Sequence, residues 1–263
     1  MTEPPRSPRK DGIGYVMVVA LCVSLVCSIV VSGTAVALKE RQDRNVLLDM
    51  QYNVLAAAGM ELDERGVAVI FAQEFEQHIV DLRTGDLVPE VDAAGFDQLK
   101  TARDPELSTP LSKDRDIATL LRRENHASVY MKRSPDGSLE KLVLPVRGYG
   151  LWGTLYGFLA LEADLQTVAG LTFYQHKETP GLGGEVDNSK WRAIWPGKRI
   201  FDENGNPAIR LVKTVRDPTH EVDALAGATL TTRGVENLVR FWVSDLGYGP
   251  FLDKLSTSGI RTR

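Results

Sequence analysis

Cysteine is nearly missing from this chain of 263 residues: there are two, Cys22 and Cys27, and both fall inside one apolar run near the N-terminus. Everything after that run lacks a thiol, so it can form no disulfide, no cysteine-ligated iron–sulfur cluster and no thiolate zinc site of its own. The spacing of the pair also rules out a CxxC redox motif. Histidine is scarce as well. His78, His126, His176 and His220 stand apart without ligand spacing, so each reads as a surface or turn residue and no metal site is expected. An excess of positive charge is absent too: the formal net charge is -4, which removes the basic footprint that nucleic-acid binding requires. No internal repeat or low-complexity tract stands out, and no Gly-Lys-Ser/Thr follows the glycine-rich segment, which excludes a Walker loop.

Charge is missing in a second, local sense. No charged residue occurs from Gly12 to Leu38, and "IGYVMVVALCVSLVCSIVVSGTAVAL" exceeds the ~20 apolar residues that cross a bilayer. Ala35-Val36-Ala37 has the small-x-small form of a signal cleavage site, but the run is well beyond the ~7–15 residues of a signal h-region, so an uncleaved anchor is expected. Arg6, Arg9 and Lys10 before the span balance Lys39, Arg41 and Arg44 after it. Long following domains translocate largely regardless of such charge. The expectation is therefore a cytoplasmic tail over 1–12, a transmembrane helix over 13–38 and an extracytoplasmic domain over 39–263.

What is present after the anchor has an ordinary globular composition, 43% hydrophobic and 25% charged for the whole chain. "ERQDRNVLLDMQYNVLAAAGM" carries Val46, Leu47, Met50, Val54 and Leu55 on one helical face and predicts a helix that ends near Gly59. "VAVIFAQEF" reads as a strand passing into a helix or loop, Thr84-Gly85-Asp86 as a hairpin turn, and "DIATLLRRE" as a short helix. From Ala127 strands dominate: "ASVYMKR" and "EKLVLPV" flank the turn Ser134-Pro135-Asp136-Gly137, and "GLWGTLYGFLALE", "TVAGLTFYQ" and "NPAIRLVKTV" follow. A helical stripe over Gly234 to Leu246 closes the pattern, and the whole reads as one α+β domain.

Three segments invite chemistry. "HKETPGLGGEV" is a loop whose glycines let backbone approach a flat or anionic ligand, although a plain turn explains it too. "RGYGLWGTLYGFLALE" sets Tyr149, Trp152 and Tyr156 among glycines, which suits a planar ring and equally suits strand packing. "DALAGATLTTRG" places an acidic residue before small residues and then Thr229, Thr231 and Thr232; helix capping accounts for one threonine and leaves the others unexplained.

Taken in order, "RGYGLWGTLYGFLALE", "FYQHKETPGLGGEVDN", "FDENGNPAIRLVK", "DALAGATLTTRGVENLVRFW" and "GYGPFL" resemble the C-subunit family of bacterial Na+-translocating NADH:quinone oxidoreductases (Nqr), from about Leu142 onward and together with the single N-terminal anchor. The resemblance implies an extracytoplasmic FMN-binding domain on the inner membrane whose flavin is joined through its phosphate to a threonine, in a motif of the form D-x-x-S/T-G-A-T. Asp223, Ala226, Gly227, Ala228 and Thr229 occupy those places, with alanine at 226 where serine or threonine is common. Thr229 is thereby the implied attachment residue. Asp223, Leu225, Gly227 and Ala228 are implied around it, with Thr179, Gly181, Leu182 and Gly183 of the glycine-rich loop as a second wall. The implied role is an electron relay between subunits, with no catalytic residue of its own; the implied partners are the other Nqr subunits, a flavin transferase during maturation and the membrane. Two other readings stay open: the G subunit of an Rnf complex, which shares an S/T-G-A-T site, and a membrane-anchored ligand-binding or sensory module.

Overall fold

The computed structural model describes residues 12–258 and divides into two units, Met1–Leu47 and Leu48–Arg263. Most of the tail expected over 1–12 lies outside the described residues. Helix α1 spans Ile13–Ala57, and its apolar stretch is exposed throughout, long and apolar enough to cross a membrane. It stops where the sequence predicts: Gly59 turns left-handed at φ 69°, and the amides of Gly59 and Met60 return to the carbonyls of Ala56 and Leu55.

In the second unit, antiparallel strands β1 (Glu76–Asp81), β4 (His126–Arg133), β5 (Leu139–Tyr149), β6 (Thr154–Glu162) and β7 (Val168–Gln175) form one five-stranded sheet in the order β1-β4-β5-β6-β7. Period-two alternation sends its side chains into two cores. Ala127, Val129, Met131, Leu142, Leu144, Val146, Leu155 and Leu159 face one side. Tyr130, Val143, Phe158 and Ala160 face the other, where Val54, Leu55 and Ala57 of α1 join Ile70 and Phe71 of helix α2 (Val67–Glu74). The first face is covered by helix α5 (Thr229–Trp242), whose buried Val235, Leu238, Val239 and Trp242 form the predicted stripe, and by helix α6 (Gly249–Ser258). Smaller elements complete the unit: helix α3 (Gln98–Arg103), strands β2 (Ser108–Pro110) and β3 (Arg122–Glu124), helix α4 (Ser189–Arg192), and a parallel pair β8 (Arg210–Val212) and β9 (Glu221–Asp223).

The structure corrects three expectations. "VAVIFAQEF" is mainly the helix α2, because burying Ile70 and Phe71 together against the sheet requires helical spacing and overrides the β-branched composition. "DIATLLRRE" is not a helix: both Asp116 carboxylate oxygens take backbone amides, of Leu120 and Leu121, and Thr119 and Leu121 adopt positive φ before β3 begins. The helical stripe is not the last element, because a second helix, α6, follows it.

Tyr130 and Tyr248 are buried and Tyr174 is partly buried, and burial raises each phenol: Tyr174 to about 12, Tyr130 and Tyr248 clearly upward. A phenol whose folded pKa lies above its unfolded value, near 10, favours the folded state below that value and loses the contribution as pH climbs to the folded pKa. The domain is expected to lose stability from about pH 10 upward. Ionisation of the buried phenols should coincide with loss of circular dichroism; ionisation of Tyr130, Tyr174 and Tyr248 on a still-folded chain would contradict this.

Candidate functional site

The segment that follows β9 is a tight turn built by its glycine. The amide of Ala228 bonds the carbonyl of Leu225 at 3.2 Å, and Gly227 between them sits at φ 72°, a conformation side chains resist. Ala228 then occupies the N-cap with no side-chain cap, and Thr229 is the first residue of α5. The threonines are therefore not caps in the usual sense, and their roles diverge. Thr231 is fully buried and its hydroxyl donates to Glu178 Oε2 at 2.5 Å. Thr232 is buried and its Oγ1 accepts the amide of Leu225 at 3.1 Å. Thr229 is exposed, and its hydroxyl makes no hydrogen bond among the described residues.

The glycine-rich loop is a second turn of the same kind. Thr179 carbonyl accepts the amides of Leu182 at 3.1 Å and Gly184 at 2.9 Å, with Pro180 and Gly181 (φ 76°) at the two central positions. That pairing of proline with a left-handed glycine is a type II turn. The turn carries Leu182 out to 45% exposure and delivers it onto the first motif: a methyl built on Gly227 would stand 3.1 Å from Leu182 Cδ2. The two motifs approach each other at Leu182 and Gly227.

Beside Thr229 lies a groove of about 720 Å³ between β8, the 224–227 turn and α5. Its wall brings Arg210, Lys213 and Arg233 to the start of the helix, against one carboxylate, Glu236. Glu236 is already engaged, accepting the amide of Leu211 at 2.6 Å. Arg210 lies 3.8 Å from Glu221, whereas Lys213 and Arg233 have no ion-pair partner among the described residues. Positive side chains and the free N–H groups of a helix start together favour a bound anion.

The structure places the implied site residues unevenly. Gly227, Ala226 and Thr229 line the groove with Leu225, but Leu225 and Ala228 are chiefly core residues that anchor the turn. The Asp223 side chain is exposed and is not part of the groove wall; its carbonyl accepts Trp191 Nε1 at 2.8 Å and fixes the end of β9. Thr179 serves the loop through its carbonyl, Gly181 through its left-handed backbone, and Gly183 is buried beneath it. Sequence reasoning misses Lys213, Arg210 and Arg233. Arg233 lies one helical turn beyond Thr229 and is legible from that spacing; the two cations of the β8 segment reach the site only through the β8–β9 pairing.

Comparison with known proteins places the chain in a family. Residues 150–244 match the FMN-binding domain family. A curated relative from Pseudomonas aeruginosa, the C subunit of Na(+)-translocating NADH-quinone reductase, is 50% identical over 247 residues, 91% of this chain and 94% of the relative. A protein of the same description from Yersinia pestis is 43% identical and covers 99% of this chain and 98% of its own length. Among solved structures, Shewanella oneidensis NqrC superposes with a TM-score of 0.75 at 36% identity, over 80% of this chain and 97% of that one.

Proposed function

The chain belongs to the family of Na(+)-translocating NADH-quinone reductase C subunits, and from that premise we propose that Thr229 is the residue through which it carries covalent FMN. It is an electron-relay subunit of that oxidoreductase and holds FMN in its FMN-binding domain. The observation that carries the assignment of Thr229 is the division of labour among the three threonines: two hydroxyls are buried and bonded, and the third stands free in a cationic groove.

The residues present fit a phosphoester-linked flavin. The phosphate, once joined to Thr229, keeps a negative charge, and the start of α5 with Lys213 and Arg233 supplies matching positive potential. Leu182, beside Gly227, offers an apolar face for a planar ring, and Trp152 is 63% exposed on a segment tied to the same loop. The bound flavin supplies the electron transfer. The chain's part is to fix orientation through a tether at Thr229 and a wall at Leu182.

Threonine is a weak nucleophile, and no carboxylate among the described residues hydrogen-bonds its hydroxyl. Glu178 and Glu236 are engaged elsewhere. Attachment is therefore the work of a separate transferase acting on an activated flavin donor. Thr229 Oγ1 is the atom that would carry the flavin phosphate, and Lys213 and Arg233 of the adjoining groove would hold that phosphate's remaining charge. Residues 13–38 form the membrane span, and the domain lies on the periplasmic side of the inner membrane, among the other subunits. Relatives that match nearly the whole chain, anchor included, favour this reading over an Rnf-type subunit or a sensory module.

Protein made alongside the transferase is expected to stay yellow after acid precipitation and washing. Release of all flavin into the supernatant would contradict covalent attachment.

A further inference from the structure

Glu178 is a carboxylate buried to 5% exposure at the base of the glycine-rich loop. Its Oε1 accepts the amides of Leu151 and Trp152, each at 2.9 Å, and its Oε2 accepts the hydroxyl of Thr231 at 2.5 Å. It thereby joins three stretches remote in sequence: the 149–153 turn, the glycine-rich loop and the first turn of α5. Space is kept clear around it. A methyl on Gly150 would stand 2.6 Å from Oε1, and one on Gly183 would collide with both Oε2 and the Thr231 hydroxyl.

A buried carboxylate is costly unless every oxygen is satisfied, and packing alone is served as well by an apolar residue. The joined stretches also pack against one another, since Gly234 of α5 lies against the backbone of Tyr149 and Gly150. Each of them also carries an exposed residue: Trp152 on the 149–153 turn, Leu182 on the glycine-rich loop and Thr229 at the start of α5. We propose that Glu178, acting through Thr231 and the Leu151 and Trp152 amides, is the positioning residue of the flavin site, fixing the Trp152 turn, the Leu182 loop and the Thr229 helix start against one another. The proposal rests on the assignment of flavin to Thr229. Glutamine at this position could keep the same connections, since its oxygen can accept both amides and its NH2 can donate to Thr231.

The test uses the full-length flavinylated protein and the variants T231V, T231S, E178Q and E178L, read by flavin content after acid denaturation, visible-region circular dichroism of the flavin, and its midpoint potential. T231V and E178L are expected to lose the visible dichroism and to shift the potential toward that of free FMN, or to lose flavin uptake on a folded chain. T231S and E178Q are expected to retain the wild-type signals. Wild-type dichroism and potential in T231V, with only a lowered melting temperature, would overturn the proposal and leave Glu178 a structural residue; this holds even if E178L fails to fold. A wild-type chain without covalent flavin would instead sink the Thr229 assignment.

Discussion

Thr229→Ala is expected to yield a folded chain with no covalent flavin and, in the assembled enzyme, no NADH-driven quinone reduction. The fold should hardly notice. Thr229 is exposed, its hydroxyl makes no hydrogen bond among the described residues, and it is the first residue of α5, where alanine is the better helix former, so the stability change is expected within about 0.5 kcal/mol. Neither neighbour can take its place. Thr231 is held by Glu178 and Thr232 by the Leu225 amide, both buried, and exposing either to a transferase would require unwinding the first turn of α5. Reduction of artificial acceptors at the upstream NADH-oxidising subunit should continue on the same membranes. Recovery of quinone reduction on adding free FMN would show that the tether is dispensable, and loss of both activities would point to failed assembly.

Gly234→Ala is expected to destabilise the domain, although glycine to alanine inside a helix ordinarily gains up to ~1 kcal/mol. Gly234 lies on the buried face of α5, where an added methyl would collide with the Tyr149 carbonyl oxygen and stand 3.0 Å from Gly150 Cα. Both obstacles are backbone, so no rotamer change relieves them. Overpacking of this kind costs ~1–3 kcal/mol and outweighs the propensity gain. For a domain of this size that corresponds to a melting temperature lower by several degrees, at roughly 2–4 °C per kcal/mol. Because the displaced turn also carries Trp152, the visible dichroism of the attached flavin should fall in the same variant. An unchanged or raised melting temperature would show that α5 can move off the sheet at no cost.

The sheet and the α5 helix are legible in the sequence because local pattern and burial coincide: β4 to β7 alternate, and Val235, Leu238, Val239 and Trp242 recur at helical spacing. Helix α2 is not, because Val67, Val69 and Ile70 carry strand propensity, while the face they bury is decided by the sheet across from them. At the site, the turn glycines and Thr229 can be found from sequence, since each acts through its own backbone or hydroxyl. Glu178 can be seen but not understood, because its meaning lies in partners 27 and 53 residues away. The cations of the β8 segment are invisible for the same reason: a parallel pair separated by a long connection brings Lys213 to Thr229, and no local spacing records it.

Attachment of the flavin through one hydroxyl, that of Thr229, can be read at the level of a single peptide. It is tested most directly by tryptic digestion of the flavinylated protein and fragmentation of the peptide that ends at Arg233. This peptide contains Thr229, Thr231 and Thr232 together, so a single spectrum compares all three. The flavin phosphate mass is expected on Thr229, with Thr231 and Thr232 unmodified; that mass on either buried threonine, or its absence from the peptide, would show that Thr229 is not the attachment residue.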